Sequence, residues 1–161
     1  MQTNRDSLNS AETKREVSAK ITKFRPHHLS QVCEIEDSSF SEPFTANYFE
    51  RLAEEYPETF LVSEKEGRVL GYVIAETRRE KAHILSIAVR NDCRRRHVGS
   101  ELLYTLIQRL RLDGIKEVFL EVRRSNVAAR SLYEKAGFKF TGSIEGYYGK
   151  EDDAALYLLK L

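Results

Sequence analysis

The run Arg94-Arg95-Arg96-His97-Val98-Gly99-Ser100 places a basic, glycine-containing turn between an apolar stretch and an amphipathic one. Ahead of it, His83-Ile84-Leu85-Ser86-Ile87-Ala88-Val89 has the length and character of a buried strand. Behind it, Val98, Leu102, Leu103, Leu106, Ile107 and Leu110 recur at helical spacing, and Asp113-Gly114 closes the helix with the residue that tolerates a left-handed turn. A strand that passes through such a turn into a helix builds an anion site. First-turn N–H groups lack intrahelical partners, the positive end of the helix dipole lies there, and guanidinium groups stand beside it. The ligand this favours is a phosphorylated cofactor, although an arginine run by itself is usually a solvated face.

The rest of the chain supplies the remaining layers. Residues 1–18 are polar, alternate in charge and carry almost no large apolar groups, so they are expected to form a flexible tail. The single domain is placed at residues 19–161. It opens with a strand at Ile21–Phe24, a helix from near Pro26 bearing Leu29, Val32, Cys33 and Ile35, and a loop at Ser38–Pro43. A second helix spans Ala46–Tyr56, and Phe60–Glu64 and Val69–Thr77 form a hairpin around Gly67. After the long helix, Glu117-Val118-Phe119-Leu120-Glu121-Val122 suits a central strand. Ser125-Asn126 caps a further helix that buries Ala129, Leu132, Tyr133 and Ala136 and stops at Gly137. Strands at Phe138–Ile144 and Ala154–Leu161 finish the domain. Strand-helix-strand-helix-strand in the second half implies an α/β class, a right-handed crossover and a parallel strand pair.

Composition narrows the function classes. The chain has 161 residues, 41% hydrophobic and 32% charged, with a net charge of +1, which gives no global pull toward nucleic acid or anionic lipid. No apolar run approaches the ~18 residues of a membrane span and the N-terminus lacks a secretory segment, so a cytoplasmic location is expected. Cys33 and Cys93 stand far apart, without the spacing of a zinc site or disulfide framework, and no metal is expected. His27 and His28 read as surface residues of the first helix.

The segment from His83 to Phe138 resembles the GNAT family of N-acetyltransferases. Leu120-Glu121-Val122-Arg123, Asn126, Ala128-Ala129, Leu132-Tyr133-Glu134 and Gly137-Phe138 resemble specifically its RimI-type and archaeal members, which acetylate protein N-termini. The likeness implies a GNAT fold: a mixed, mostly antiparallel sheet of six to seven strands with about four helices, splayed at the central parallel strands. It also implies acetyl-CoA as acetyl donor. In the family the turn reads Arg/Gln-x-x-Gly-x-Gly/Ala; Arg94 takes the first position, Gly99 the last, and His97 stands where the first glycine usually falls. The implied cofactor contacts are the backbone of Ile87, Ala88 and Val89, the turn Arg94, Arg95, Arg96, His97, Val98, Gly99 and Ser100, and Asn126 and Tyr133.

Acetylation of an amine needs a neutral amine and a proton for the departing thiolate. An α-amine titrates at about 7.7–8.0 against about 10.4 for lysine, so a modest base suffices for the former. Glu121 matches the family's general base; the competing reading pairs it with Arg123 or leaves it at the surface. Tyr133 matches the proton donor to sulfur, or is a core tyrosine with a satisfied hydroxyl. His83 matches a residue that relays the amine proton through water in archaeal relatives, or is structural. For acceptor binding the likeness points to Phe40-Ser41-Glu42-Pro43-Phe44, with Glu42 and Phe44 singled out, and to Tyr147-Tyr148, which otherwise would pack on the sheet edge.

The expected activity is therefore acetyl-CoA-dependent acetylation of protein N-termini by direct attack, with a ribosomal protein or the ribosome among the possible partners and a monomer or weak homodimer as the working unit. Transfer to a lysine, polyamine or other small amine by the same fold stays open. So does a ribosome- or RNA-binding module built on Arg90 and Arg94–Arg96, against which no aromatic motif interleaves the basic cluster. No specific nucleic acid and no membrane partner is expected.

Overall fold

The computed structural model describes residues 18–161; the tail expected at residues 1–18 lies outside that range except for its last residue. Seven strands form one sheet in the order β1-β2-β3-β4-β5-β7-β6. They are β1 (Lys20–Lys23), β2 (Phe60–Lys65), β3 (Arg68–Arg78), β4 (Lys81–Val89), β5 (Glu117–Arg123), β6 (Lys139–Ile144) and β7 (Ala154–Lys160). Four α-helices cover it: α1 (Leu29–Ser39), α2 (Ala46–Glu55), α3 (Val98–Leu112) and α4 (Val127–Lys135). Every adjacent strand pair is antiparallel except β4 and β5, which α3 connects.

The two helix layers bury separate cores. On one face, Leu102, Leu103, Leu106 and Leu110 of α3 pack on Val73, Ala75, Ala82, Ile84, Val118 and Leu120. On the other, Val32 and Ile35 of α1 and Phe49 and Leu52 of α2 pack on Phe60, Val62, Tyr72 and Ile74. Each fully buried Leu, Ile or Phe contributes about 1.5–3 kcal/mol, so both layers are needed to hold the sheet. Thr45 caps α2 by accepting the Tyr48 N–H at 3.2 Å, and Asn126 caps α4 by accepting the Ala129 N–H at 3.1 Å.

Two irregularities in β4 shape the site. Its register with β3 shifts between Ile74 and Ala75, whose partners are Ser86 and Ile84, so Leu85 is an unpaired bulge residue. The extra residue switches the strand's faces: Ile84 joins the α3 core, whereas Leu85 and Ala88 join the α1/α2 core. Next, β4 pairs with β5 only from Lys81 to His83, while β5 stays paired with β7 along its whole length. Beyond His83 the parallel strands part, and the β4 backbone from Ile84 to Val89 faces the gap without a ladder partner.

At Gly71 of β3 the sheet, α3 and β4 approach closely. A Cβ there would lie 2.8 Å from the Ala88 carbonyl oxygen and 3.2 Å from both Leu102 Cδ1 and Val98 Cγ1.

Local structure departs from the sequence expectations at the first helix. Pro26–His28 is a separate 3-10 turn, tightened by the Arg25 N–H donating to His28 Nδ1 at 2.9 Å. At its other end α1 runs on to Ser39, because the Ser38 and Ser39 hydroxyls donate to the Ile35 carbonyl at 3.0 and 2.6 Å and satisfy a terminal acceptor. His28 is a correction: it is buried, 2% exposed, and its Nε2 lies 2.6 Å from Glu64 Oε2. A surface position follows from polarity alone; burial follows from the two hydrogen bonds that satisfy both ring nitrogens.

Candidate active site

Alternation along β5 sends Val118, Leu120 and Val122 into the α3 core and turns Phe119, Glu121 and Arg123 to the opposite face. His83 of β4 points the same way. Its ring stacks on Phe119, centroids 4.5 Å apart, and its Nε2 lies 2.5 Å from Glu121 Oε2. Its Nδ1 lies 3.1 Å from Glu76 Oε1. Burial by itself pushes the imidazole down, but the hydrogen bond and charge of Glu121, followed by those of Glu76, outweigh it and hold His83 above the usual histidine range. The group is thus a carboxylate–imidazole–carboxylate line, about one-fifth exposed at His83 and Glu121. Glu121 Oε1 has no hydrogen-bond partner among the described residues and is free to accept a proton. Glu76 was not identified from sequence, although the Arg79-Glu80 turn places it directly across from His83 in the β3–β4 ladder.

Across the gap, α4 carries Tyr133. It is 5% exposed, and burial, with a smaller contribution from Tyr148, drives its phenol well above the ordinary value. The phenol therefore keeps its proton at neutral pH. Its hydroxyl has no hydrogen-bond partner among the described residues, unlike Tyr157 beside it, which donates to Glu134 and accepts from Arg130.

The α3 N-terminus lies at the end of the unpaired β4 edge. Its N-cap, His97, has φ +64° and supplies no side-chain cap, and Arg95 is also left-handed at φ +61°. The departure from glycine at position 97 is thus accommodated by a histidine in the left-handed region, at a steric cost that glycine would not incur. Gly99, by contrast, has room for a methyl group, with the nearest atoms at 3.5 and 3.6 Å. Arg94 Nε donates to the Val89 carbonyl at 3.4 Å, while Arg95 and Arg96 form no ion pair among the described residues. Uncapped N–H groups, two free guanidinium groups and an unpaired strand edge form a cradle suited to an extended, phosphate-bearing molecule. Asn126 sits at the far side of this gap, its side chain engaged as the α4 cap.

Two loops flank the polar line. In the α1–α2 loop, Glu42 is exposed, while Phe44 is half-buried with its ring edge-on to Tyr48 and Phe49. Buried Glu36 fixes this loop: Oε1 accepts the Phe44 N–H at 3.0 Å, and Oε2 accepts from Tyr72 and, at 3.4 Å, from Ser86. Burial raises the Glu36 pKa. In the β6–β7 loop, Tyr147 is exposed and Tyr148 half-buried, their rings edge to face at 4.8 Å. Arg123 pairs with Asp152, leaving Glu121 to His83.

Residues 29–138 match the Acetyltransferase (GNAT) family. The chain belongs to the GNAT family. It is 31% identical over 159 residues to an N-alpha-acetyltransferase of Sulfurisphaera tokodaii, covering 91% of this chain and 95% of that one. The crystal structure of Ard1 from Thermoplasma volcanium superposes with a TM-score of 0.85 at 31% identity, over 90% of this chain and 99% of that chain. That of the ribosomal-protein-S18-alanine N-acetyltransferase from Escherichia coli gives 0.78 at 28% identity, over 88% and 93%. This GNAT protein is an N-acetyltransferase of the RimI-like group.

His27, His28 and Glu64 are the one cluster of metal-ligating groups found among the described residues. His28 Nδ1 accepts the Arg25 N–H, so the neutral ring carries its proton on Nε2 and presents it to Glu64. That tautomer leaves no lone pair toward a cation. Among the described residues no helix is long and apolar enough to cross a membrane.

Proposed function

We propose that this acetyltransferase moves the acetyl group of acetyl-CoA onto the α-amine of protein N-termini. The observation that carries the reading is the His83–Glu121 pair, open on the groove between the Ser41–Phe44 loop and Tyr147-Tyr148, with Tyr133 and the α3 cradle across the strand gap. Relatives named for N-alpha and ribosomal-protein-alanine acetylation support the acceptor class. A ribosomal protein is accordingly the first protein acceptor to test.

Acetyl-CoA supplies the activated thioester. The α3 N-terminus with Arg95 and Arg96 would hold its phosphates, and the β4 backbone at Ile87–Val89 its extended arm. Glu121 accepts the acceptor's ammonium proton through its free oxygen, directly or through water, and His83, held by Glu76, fixes the carboxylate. An α-amine at about 7.7–8.0 reaches its neutral form more readily than a lysine at about 10.4, so it asks less of the base. Tyr133 keeps its proton until the thiolate departs.

Mass spectrometry of a peptide library bearing both free α-amines and internal lysines, incubated with acetyl-CoA, tests the acceptor class. Acetylation confined to α-amines is expected, and exclusive labelling of lysine or spermidine would overturn the reading. Glu121→Gln should lower turnover on these peptides by about two orders of magnitude with acetyl-CoA binding intact.

A further inference from the structure

Arg123 ends β5, two residues beyond Glu121 on the same face. Its guanidinium makes three contacts with two different loops. Nη1 donates to Asp152 Oδ2 of the β6–β7 loop, the Tyr148 ring of that loop lies 4.5 Å from Cζ, and Nη2 donates to Ser41 Oγ of the α1–α2 loop at 3.4 Å. We propose that Arg123 is a positioning residue that sets the separation of the two loops bounding the acceptor groove, acting through Tyr148 and Ser41. This rests on reading that groove as the acceptor site.

The loop geometry concentrates this function in one side chain. The β6–β7 loop is stiffened from within. The Tyr148 N–H donates to the Asp152 carbonyl at 3.0 Å, and the Gly146 N–H donates to Asp153 Oδ1 at 2.9 Å. The Arg124 N–H then ties it to the end of β5 through the Asp153 carbonyl at 2.9 Å. These bonds knit the loop into one hydrogen-bonded unit, and Arg123 seats that unit against the strand that carries Glu121. The α1–α2 loop is anchored at Phe44 by Glu36, yet its Ser41 end reaches across the groove through the Arg123 contact, the longer of the two guanidinium hydrogen bonds. A planar fork can serve a carboxylate, an aromatic face and a hydroxyl together, whereas an ammonium cannot. The loops are thus joined by one hydrogen bond at the limit of its range, and acceptor binding can open it without disturbing the Asp152 pair.

The test uses Arg123→Met and Arg123→Lys with an N-terminal peptide acceptor. Arg123→Met should raise the acceptor KM about tenfold and leave kcat within about threefold and acetyl-CoA KM within about twofold, the pattern of lost positioning. Arg123→Lys should fall between wild type and Met. Amide hydrogen exchange should quicken in peptides covering residues 40–46 and 145–153, with β5 and α3 unchanged. An unmoved acceptor KM in Arg123→Met overturns the proposal, as does faster exchange spread through β5 and β7 with both KM values rising together. If the wild type acetylates no N-terminal peptide, the acceptor reading has failed, and the exchange data alone decide whether Arg123 joins the loops.

Discussion

Replacing Gly71 with alanine tests a close approach of β3 to β4 and α3. The added methyl would sit 2.8 Å from the Ala88 carbonyl oxygen. Ordinary carbon–oxygen approach is about 3.3 Å or more, so about 0.5 Å must be found by moving backbone. Leu102 and Val98 at 3.2 Å close the other direction, and both are buried residues of α3. Overpacking of this kind costs about 1–3 kcal/mol, offset by about 0.4–1 kcal/mol because alanine restricts the unfolded chain. The mid-range net loss is about 1.3 kcal/mol, which lowers Tm by about 3–5 °C in a domain of this size. Gly142 is the matched control, since a Cβ there meets nothing within 4 Å and its φ lies outside the left-handed range. Gly142→Ala should raise Tm by about 1–4 °C through the unfolded-state effect alone. Paired thermal melts of the two variants decide the matter. A Gly71→Ala protein that melts at or above wild type, or a Gly142→Ala protein that falls as far, would refute the packing argument. The displaced Ala88 carbonyl should also raise the acetyl-CoA KM.

The pairs at His83 predict a pH-dependent stability. Its folded pKa is raised, so their contribution is fully present below the unfolded value of about 6.5 and is lost as pH rises through the folded one. His83→Gln should therefore destabilise more at pH 6 than at pH 9, and a constant penalty in denaturant titrations at the two pH values would contradict the charge assignment. For position 97, His97→Gly should stay within about 2 °C of wild-type Tm, because relief at φ +64° and the added unfolded-state entropy nearly cancel. His97→Val should fall by about 1–2 kcal/mol, since a β-branched residue tolerates that region poorly, and equal Tm for Gly and Val would show that the turn rearranges. Tyr133→Phe removes a hydroxyl that bonds to none of the described residues, so stability should hold while kcat drops at unchanged acetyl-CoA affinity; weakened binding with intact kcat would assign Tyr133 to packing.

The elements that carry the site were legible because their signals are local. Helical spacing from Val98 to Leu110 and the apolar run from Glu117 to Val122 each specify an element and the face it buries, and Gly137, at φ +99°, stops α4 where expected. The likeness to GNAT sequences implied the mixed, mostly antiparallel sheet and its splay. His28 was misplaced because two polar residues after a proline look like surface until the Arg25 N–H and Glu64 are seen to satisfy the ring. Glu36 escaped notice for a related reason: a carboxylate on an amphipathic helix reads as solvent-facing, and its three donors come from Phe44, Tyr72 and Ser86, far apart in the chain.

Sequence alone determined that a basic turn enters a helix beside a buried strand, and that Glu121, Tyr133 and His83 are of the types amine acetylation requires. Those properties depend on residue identity and short spacing. Tertiary structure alone decided which groups meet. The Leu85 bulge and the early parting of β4 from β5 are small register events that no periodicity announces, yet together they free the β4 edge and open the gap. Pairing of His83 with both Glu76 and Glu121, and the reach of Arg123 to two loops, follow from residues 7 to 82 positions apart being brought side by side. Charge balance and loop position are properties of that adjacency.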